Sequence, residues 1–548
     1  MKEIKNEKII FFLGGCFLLA AIIVFVNPLG NFPLNDDWHY AYPVKTLIEN
    51  GEYQLHSYFS PNIFLQVIWG YLFCLIPNEF SFTYLRFSTL VTAFFCGFVF
   101  FQIIRSQKNC SFYESLFLTI FFVFNPLFFS LSFSFMTDVP FLLLCLTSIF
   151  FYKKYLEKEK TQFRILGGSL AIAALFIRQP GVLILIAAEF SIFLIYFFDK
   201  IKRDDSIATI FRNKKIFGFV FSILSGMLVY FFIENYLKFW LNTDEYYISV
   251  GGEYLNTLKE DPSLFIFQFA KRSLMTVFYM GLFCFPLISI FFEKIREVQL
   301  HQKWIFIVLV LFNLSVTYLL FKNEFIFPFG GNVFYNLGLG PVLLKDIYVL
   351  NLPVGFEIPN YIFISLGFIC QILGCYIFLF FGKRIIRAFQ KPLEHKFFLM
   401  LVLINILYLG AMMIFSYFDR YLLLLFVSIL VIIYNEKSKK RFYQYRSLVI
   451  LTILFGYFSM VATKDYLTWN RVSHVAYEKL ISSGIVKEKI DAGLSRNGFE
   501  GTLPEIEKTH EYVLSFNDLQ NYEQIESITF YRWLFLQEDQ LLILKKSN

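Results

Sequence analysis

The chain has 548 residues, of which 57% are hydrophobic, 21% aromatic and only 17% charged, with a formal net charge of +7. Soluble chains run about 45–50% apolar and about 25% charged. This composition, with a mean hydropathy of +0.58, therefore excludes a soluble globular protein, a disordered one and a basic nucleic-acid binder. It predicts an all-α polytopic membrane protein, with membrane lipids as its surroundings and its excess of basic residues a matter of sidedness.

In chain order, a short charged N-terminus precedes an apolar run from Ile9 to Val26. That run is long for a signal peptide and no small-residue cleavage site follows, so it reads as an uncleaved first span. Apolar runs recur at 9–28, 83–104, 113–131, 138–153, 163–178, 181–198, 215–237, 271–292, 304–321, 359–381, 396–415, 420–434 and 446–463. At about 20 residues per crossing, these predict thirteen transmembrane helices, with the N-terminus inside and the C-terminus outside. Segments placed inside, including Lys200-Ile201-Lys202-Arg203 and Lys439-Lys440-Arg441, carry about three times the Lys and Arg of the external loops, the asymmetry a membrane imposes. Ile63–Pro77 is too short to cross and reads as an interfacial or re-entrant helix beneath the first external loop. Large external segments fall at 29–82, 238–270 and 322–358. The division expected is a transmembrane catalytic domain at 1–463 and a small α/β extracytoplasmic domain at 464–548, with strands around Ile528–Leu536 and Gln540–Leu544 joined by Gln537-Glu538-Asp539. Cys16, Cys74, Cys96, Cys110, Cys145, Cys284, Cys370 and Cys375 lie in or beside apolar runs without metal-ligand spacing, which argues against a disulfide framework or a zinc module.

Three groups of residues can carry chemistry. The first is Asn35-Asp36-Asp37-Trp38-His39-Tyr40-Ala41-Tyr42, continuing to Gly51-Glu52-Tyr53, with two carboxylates just beyond the first span. A purely structural reading makes Asn35 a helix cap, the acids dipole partners and Gly51 the helix stop. A functional reading has one acid facing substrate and the other supporting it, because consecutive helix positions point different ways. The second is Thr137-Asp138-Val139-Pro140 at the mouth of the fourth span, where Asp138 also suits a helix start. The third comprises Arg178, Lys271, Arg272 and Arg420, cations on the side that disfavours them. Snorkelling accounts for each alone; together they suit an anionic headgroup, since arginine can offer phosphate two parallel hydrogen bonds. Glu189 lies within an apolar run, either facing the bundle hydrogen-bonded or serving a function. His39 and His56 share the first loop with the acids but do not make a zinc site.

Taken in order, these motifs resemble the GT-C superfamily of polytopic glycosyltransferases, in the branch of the protein O-mannosyltransferases and the bacterial aminoarabinose-lipid A transferases. The resemblance is carried by the acidic pair with its sequel through Tyr53, by Phe80-Ser81-Phe82-Thr83-Tyr84-Leu85-Arg86, by Thr137-Asp138-Val139-Pro140, by Asp419-Arg420-Tyr421-Leu422 and by Ile490–Gly498 in the tail. It implies hexosyl or pentosyl transfer from a polyprenyl-phosphate sugar donor to a lipid, glycan or protein hydroxyl at the external face of a bacterial inner membrane. Asp36 matches the family's catalytic carboxylate, with Asp37 as alternate. Asp138 matches a second external acid that positions the acceptor or, in some relatives, a divalent cation. Tyr421 and His39 fall within the matching motifs. A sugar phosphate already carries a good leaving group, so cations can stabilise its departure while a carboxylate takes the acceptor's proton. Attack opposite the phosphate implies inversion. Rival readings are a lipid-linked sugar transporter, an oligosaccharide polymerase or ligase, and a receptor; the first calls for paired broken helices in matching halves, and no such symmetry is present.

Overall fold

The computed structural model describes residues 2–55, 63–107, 110–203, 214–233, 235, 257–288, 300–322, 334–335, 338–339, 360–414, 418–434, 446–502 and 510–547. Its first half comprises α1 (Lys2–Val26), α2 (Asp37–Asn50), α3 (Phe64–Cys74), α4 (Phe82–Arg105), α5 (Phe112–Val123), α6 (Pro126–Leu131), α7 (Asp138–Lys158), α8 (Thr161–Leu175), α9 (Gly181–Lys202) and α10 (Lys214–Phe232). The second half continues with α11 (Pro262–Phe283), α12 (Leu300–Lys322), α13 (Asn360–Gln390), α14 (Lys396–Ile414), α15 (Leu423–Tyr434), α16 (Arg446–Ser482) and α17 (Leu494–Glu500).

Seven described helices are long and apolar enough to cross a membrane: Asn6–Val26, Phe82–Arg105, Asp138–Lys158, Gly181–Lys202, Ser365–Gln390, Lys396–Ile414 and Arg446–Ser482. The expected count of thirteen is not confirmed among the described residues, and local chemistry explains part of the difference. The run at 113–131 is two helices, because Asn125 ends one and caps the next, its Oδ1 accepting the Leu127 N–H at 3.1 Å ahead of Pro126. The run at 420–434 begins with a 3₁₀ turn at Asp419–Leu422, leaving twelve residues of α-helix. The short run at Ile63–Pro77 does form a short helix, α3, packed against α4 by Trp69 Nε1 donating to Ser88 O at 3.0 Å.

The buried core is built chiefly from α4, α5, α7, α8, α9, α11, α13, α14 and α15. Glycines set its closest crossing. A Cβ on Gly281 would lie 1.9 Å from Cys370 O and one on Gly374 1.9 Å from Val277 O, so α11 and α13 touch backbone to backbone. Within the bundle Glu189 is fully buried and bound by Arg164, whose Nε lies 3.1 Å from Oε2 and whose Nη2 lies 2.5 Å from it; Tyr152 Oη donates to Oε1 at 2.9 Å. That carboxylate is a tie between α7, α8 and α9.

The polar tail does not begin a new element at residue 464. Helix α16 runs unbroken from Arg446 to Ser482, and the tail packs on its far half through Leu467, Tyr477, Leu514 and Ile543. Two short strands, β1 (Phe334–Tyr335) and β2 (Gly338–Leu339), pair with each other. The tail sheet contains β3 (Ile490–Asp491), β4 (Tyr512–Ser515), β5 (Tyr522–Arg532) and β6 (Gln537–Lys546) in the order β3-β4-β6-β5; β3 pairs parallel with β4 and the other pairs are antiparallel. The expected hairpin is present with its turn displaced. Residues 533–536 make the turn, and Gln537-Glu538-Asp539 lie within β6, where Asp539 pairs with Arg532 at 2.9 Å.

Candidate functional site

The loop joining α1 to α2 has little regular hydrogen bonding of its own, so its carbonyls need external donors. Arg86, buried in α4, supplies them: Nη1 donates to Pro28 O and Gly30 O, both at 2.8 Å, and Nη2 to Phe32 O. Arg471 of α16 donates to Asn27 O at 2.7 Å and Leu29 O at 3.0 Å. Held in this way, the loop delivers Asn35 in a left-handed conformation (φ +51°) and Asp36 at the N-cap of α2. The cap residue is therefore Asp36, not Asn35. Gly51 ends α2 as expected, at φ +73°.

The two neighbouring acids separate completely. Asp37 is fully buried; its Oδ1 accepts the Leu34 N–H at 2.7 Å and its Oδ2 the Phe135 N–H at 3.3 Å. Burial pushes its carboxyl up from 3.8 to about 7, against the opposing pull of the nearby Arg86 charge and these two N–H groups. Asp37 staples the first loop to the 132–137 turn. Asp36 points elsewhere and keeps a quarter of its side chain exposed, 26%, with Oδ2 lying 3.6 Å from Arg420 Nη1.

Arg420 belongs to the 3₁₀ turn before α15 and is buried between two acids. Its Nε faces Asp138 Oδ2 at 3.9 Å, too far for a hydrogen bond, and neither atom has a hydrogen-bond partner among the described residues. Asp138, the first residue of α7, also pairs with Arg178 from the α8–α9 turn. The Arg178 guanidinium lies 4.1 Å from the Tyr421 ring centroid, and Arg420 lies 5.1 Å from that of Phe418. Asp36, Arg420, Asp138 and Arg178 thus form an alternating chain of charge at one end of the bundle. The tail closes over the same place: Ser495 Oγ donates to Asn35 O at 2.8 Å, and a Cβ on Gly498 would sit 2.3 Å from Trp38 Cζ2.

Other residues expected at the site lie beside it or outside it. Arg272 is committed to Met413 O at 2.6 Å, at the end of α14, and Lys271 precedes it on α11 half-buried. His39 stacks on Trp38 with ring centroids 3.4 Å apart. His56 lies outside the described residues. A divalent cation does not fit at Asp138, whose carboxylate is held between two guanidinium groups that would repel it; among the described residues no group of three His, Cys, Asp or Glu side chains could hold a metal. Sequence reasoning assigned no role to Arg86, Arg164 or Tyr152. The arginines had a legible signal, since a guanidinium within an apolar run needs polar partners.

No family model matches the sequence, and no curated protein matches it.

Proposed function

We propose that the chain is an inverting glycosyltransferase that moves a sugar from a polyprenyl-phosphate carrier to a hydroxyl acceptor at the external face of the membrane. The observation that carries this reading is the convergence of Asp36, Asp138, Arg178 and Arg420, from four distant segments, with only Asp36 offering a partly accessible carboxylate. Asp36 takes the acceptor hydroxyl proton as the acceptor oxygen bonds to the anomeric carbon. The bond from that carbon to the phosphate oxygen breaks with its electron pair leaving on the phosphate, which Arg420 and Arg178 hold. Asp138 is a positioning residue that keeps the two guanidinium groups beside each other.

A membrane setting supports the proposal at both ends of the bundle. Glu7 of α1 pairs with Arg105 of α4 at 2.9 Å, so the segments assigned to the inside do meet at one end. The acids and arginines of the site meet with the tail at another. The proposed setting is a bacterial inner membrane with a cytoplasmic N-terminus and an extracytoplasmic C-terminus, a reading that the basic-residue bias supports.

The test is sugar release from a radiolabelled polyprenyl-phosphate hexose and a panel of hydroxyl acceptors by purified protein. Asp36→Asn is expected to lose about 10²–10⁴-fold of the transfer rate, the usual contribution of a general base, with its melting temperature unchanged. Wild-type turnover that persists in Asp36→Asn refutes the assigned base. Carrier movement across liposomes without any transfer refutes the enzyme.

A further inference from the structure

We propose that the β5–β6 turn, Trp533 to Leu536, is a membrane-interface anchor that seats the tail domain on the lipid surface, at the level where α1 and α16 leave the hydrocarbon. The inference needs only that these two helices cross a bilayer and is independent of the reaction.

The turn is fixed at a definite height on α16. The backbone N–H groups of Trp533 and Leu534 donate to the two carboxylate oxygens of Asp465, each at 2.8 Å. Asp465 directly follows Lys464, and the apolar part of α16 ends there. From the other side Phe25, one residue from the end of α1, meets the Trp533 ring edge-on at 6.1 Å. The Lys464 ammonium lies 4.3 Å from the Phe25 ring centroid and 4.2 Å from that of Trp533. Two helices therefore end their apolar runs against this one turn. Below it, the outward faces of both are apolar and exposed, through Phe17 and Val24 on α1 and Ile453 and Tyr457 on α16.

The side chains continue that surface upward. Leu536 is 67% exposed and Trp533 39%, with Tyr531 beside them on β5. Leu536 also holds φ at +51°, a left-handed position that a turn normally gives to Gly or Asn. An exposed leucine kept at a strained turn position, next to a tryptophan, a tyrosine and a snorkelling lysine, has the chemistry of the headgroup boundary. The occupant of this surface is therefore the boundary between lipid headgroups and acyl chains. A second copy of the chain is the alternative that a test must separate.

The experiment uses the full chain in nanodiscs whose lipids carry bromine either near the glycerol or near the chain end, and reads tryptophan emission. The difference between wild type and Trp533→Phe isolates Trp533. That component is expected to be quenched about twofold more by shallow than by deep bromines, and Leu536→Asp, with the protein still folded by thermal melt, is expected to weaken the quenching. A Trp533 component indifferent to brominated lipid overturns the proposal. So does unquenched emission coupled with conversion of a dimer to a monomer by Leu536→Asp, which would make the turn a subunit contact.

Discussion

Asp36 and Asp37 are adjacent acids with opposite duties, and Asp37→Asn separates them. In the folded chain the Asp37 carboxyl is raised by burial from 3.8 to about 7. A raised value means that the folded state holds a proton which the unfolded state has released between those two pH values. The stability contributed by that proton is complete below about pH 4 and is lost as pH rises through 7. At about 1.4 kcal/mol for each tenfold in proton concentration, the interval makes this worth on the order of 4 kcal/mol. Asparagine binds no proton, so its contribution is level with pH. It also brings one acceptor oxygen where Leu34 and Phe135 present two N–H donors, a loss of about 1–3 kcal/mol at every pH. Thermal unfolding in detergent at pH 5 and pH 8 measures both effects. The advantage of wild type over Asp37→Asn should shrink by several degrees at the higher pH, while sugar transfer by the folded variant at pH 5 stays within about tenfold of wild type, one pKa-unit equivalent of free energy. An advantage that is constant or grows with pH refutes the assigned protonation, and loss of transfer as deep as in Asp36→Asn refutes the division of labour.

Two further substitutions test the supports of the site. Glu189→Gln removes the anion that Arg164 holds within the bundle and should cost about 3–5 kcal/mol in a melt; replacing both residues with Leu and Met should recover much of that. Gly498→Ala drives a methyl group to 2.3 Å from the Trp38 ring, an overpacking of about 1–3 kcal/mol, and should depress transfer beyond the stability loss because Trp38 follows the acidic pair directly. A Gly498→Ala variant melting and turning over like wild type would detach the tail from the site.

What the sequence makes legible depends on the reach of the signal. Apolar runs, basic-residue bias and the order of Asp36, Asp138, Arg178 and Arg420 are written locally, and the fold brings those four side chains together. Lys271 and Arg272 carry the same local signal, yet Arg272 donates to Met413 O at the end of α14, because which helix faces which is a property of packing; the Gly281–Gly374 crossing sets α11 against α13. Helix length fails for a related reason. The polarity change at 464 marks a change of surroundings, and a helix with tertiary contacts on both sides of it has no reason to stop. The displaced hairpin turn is a matter of register: Arg532 and Asp539 pair across it, and Trp533 and Leu534 give their N–H groups to Asp465 on another element, which no local propensity records. That Asp36 and Asp37 divide is legible from their adjacent helix positions, but the burial of Asp37 is not, since its partner Phe135 lies almost a hundred residues away in the chain.

Helix α16 is a lever as well as a span. Its 37 residues, at 1.5 Å each, make a rod about 55 Å long, embedded at one end and bearing at the other the tail that touches Asn35 and Trp38. A tilt of about 5° carries the far end of such a rod through about 5 Å, and helices tilt to match the thickness of the bilayer around them. The seating of the tail on the first loop, and with it the aim of Asp36, is thereby tied to how thick a membrane the chain occupies.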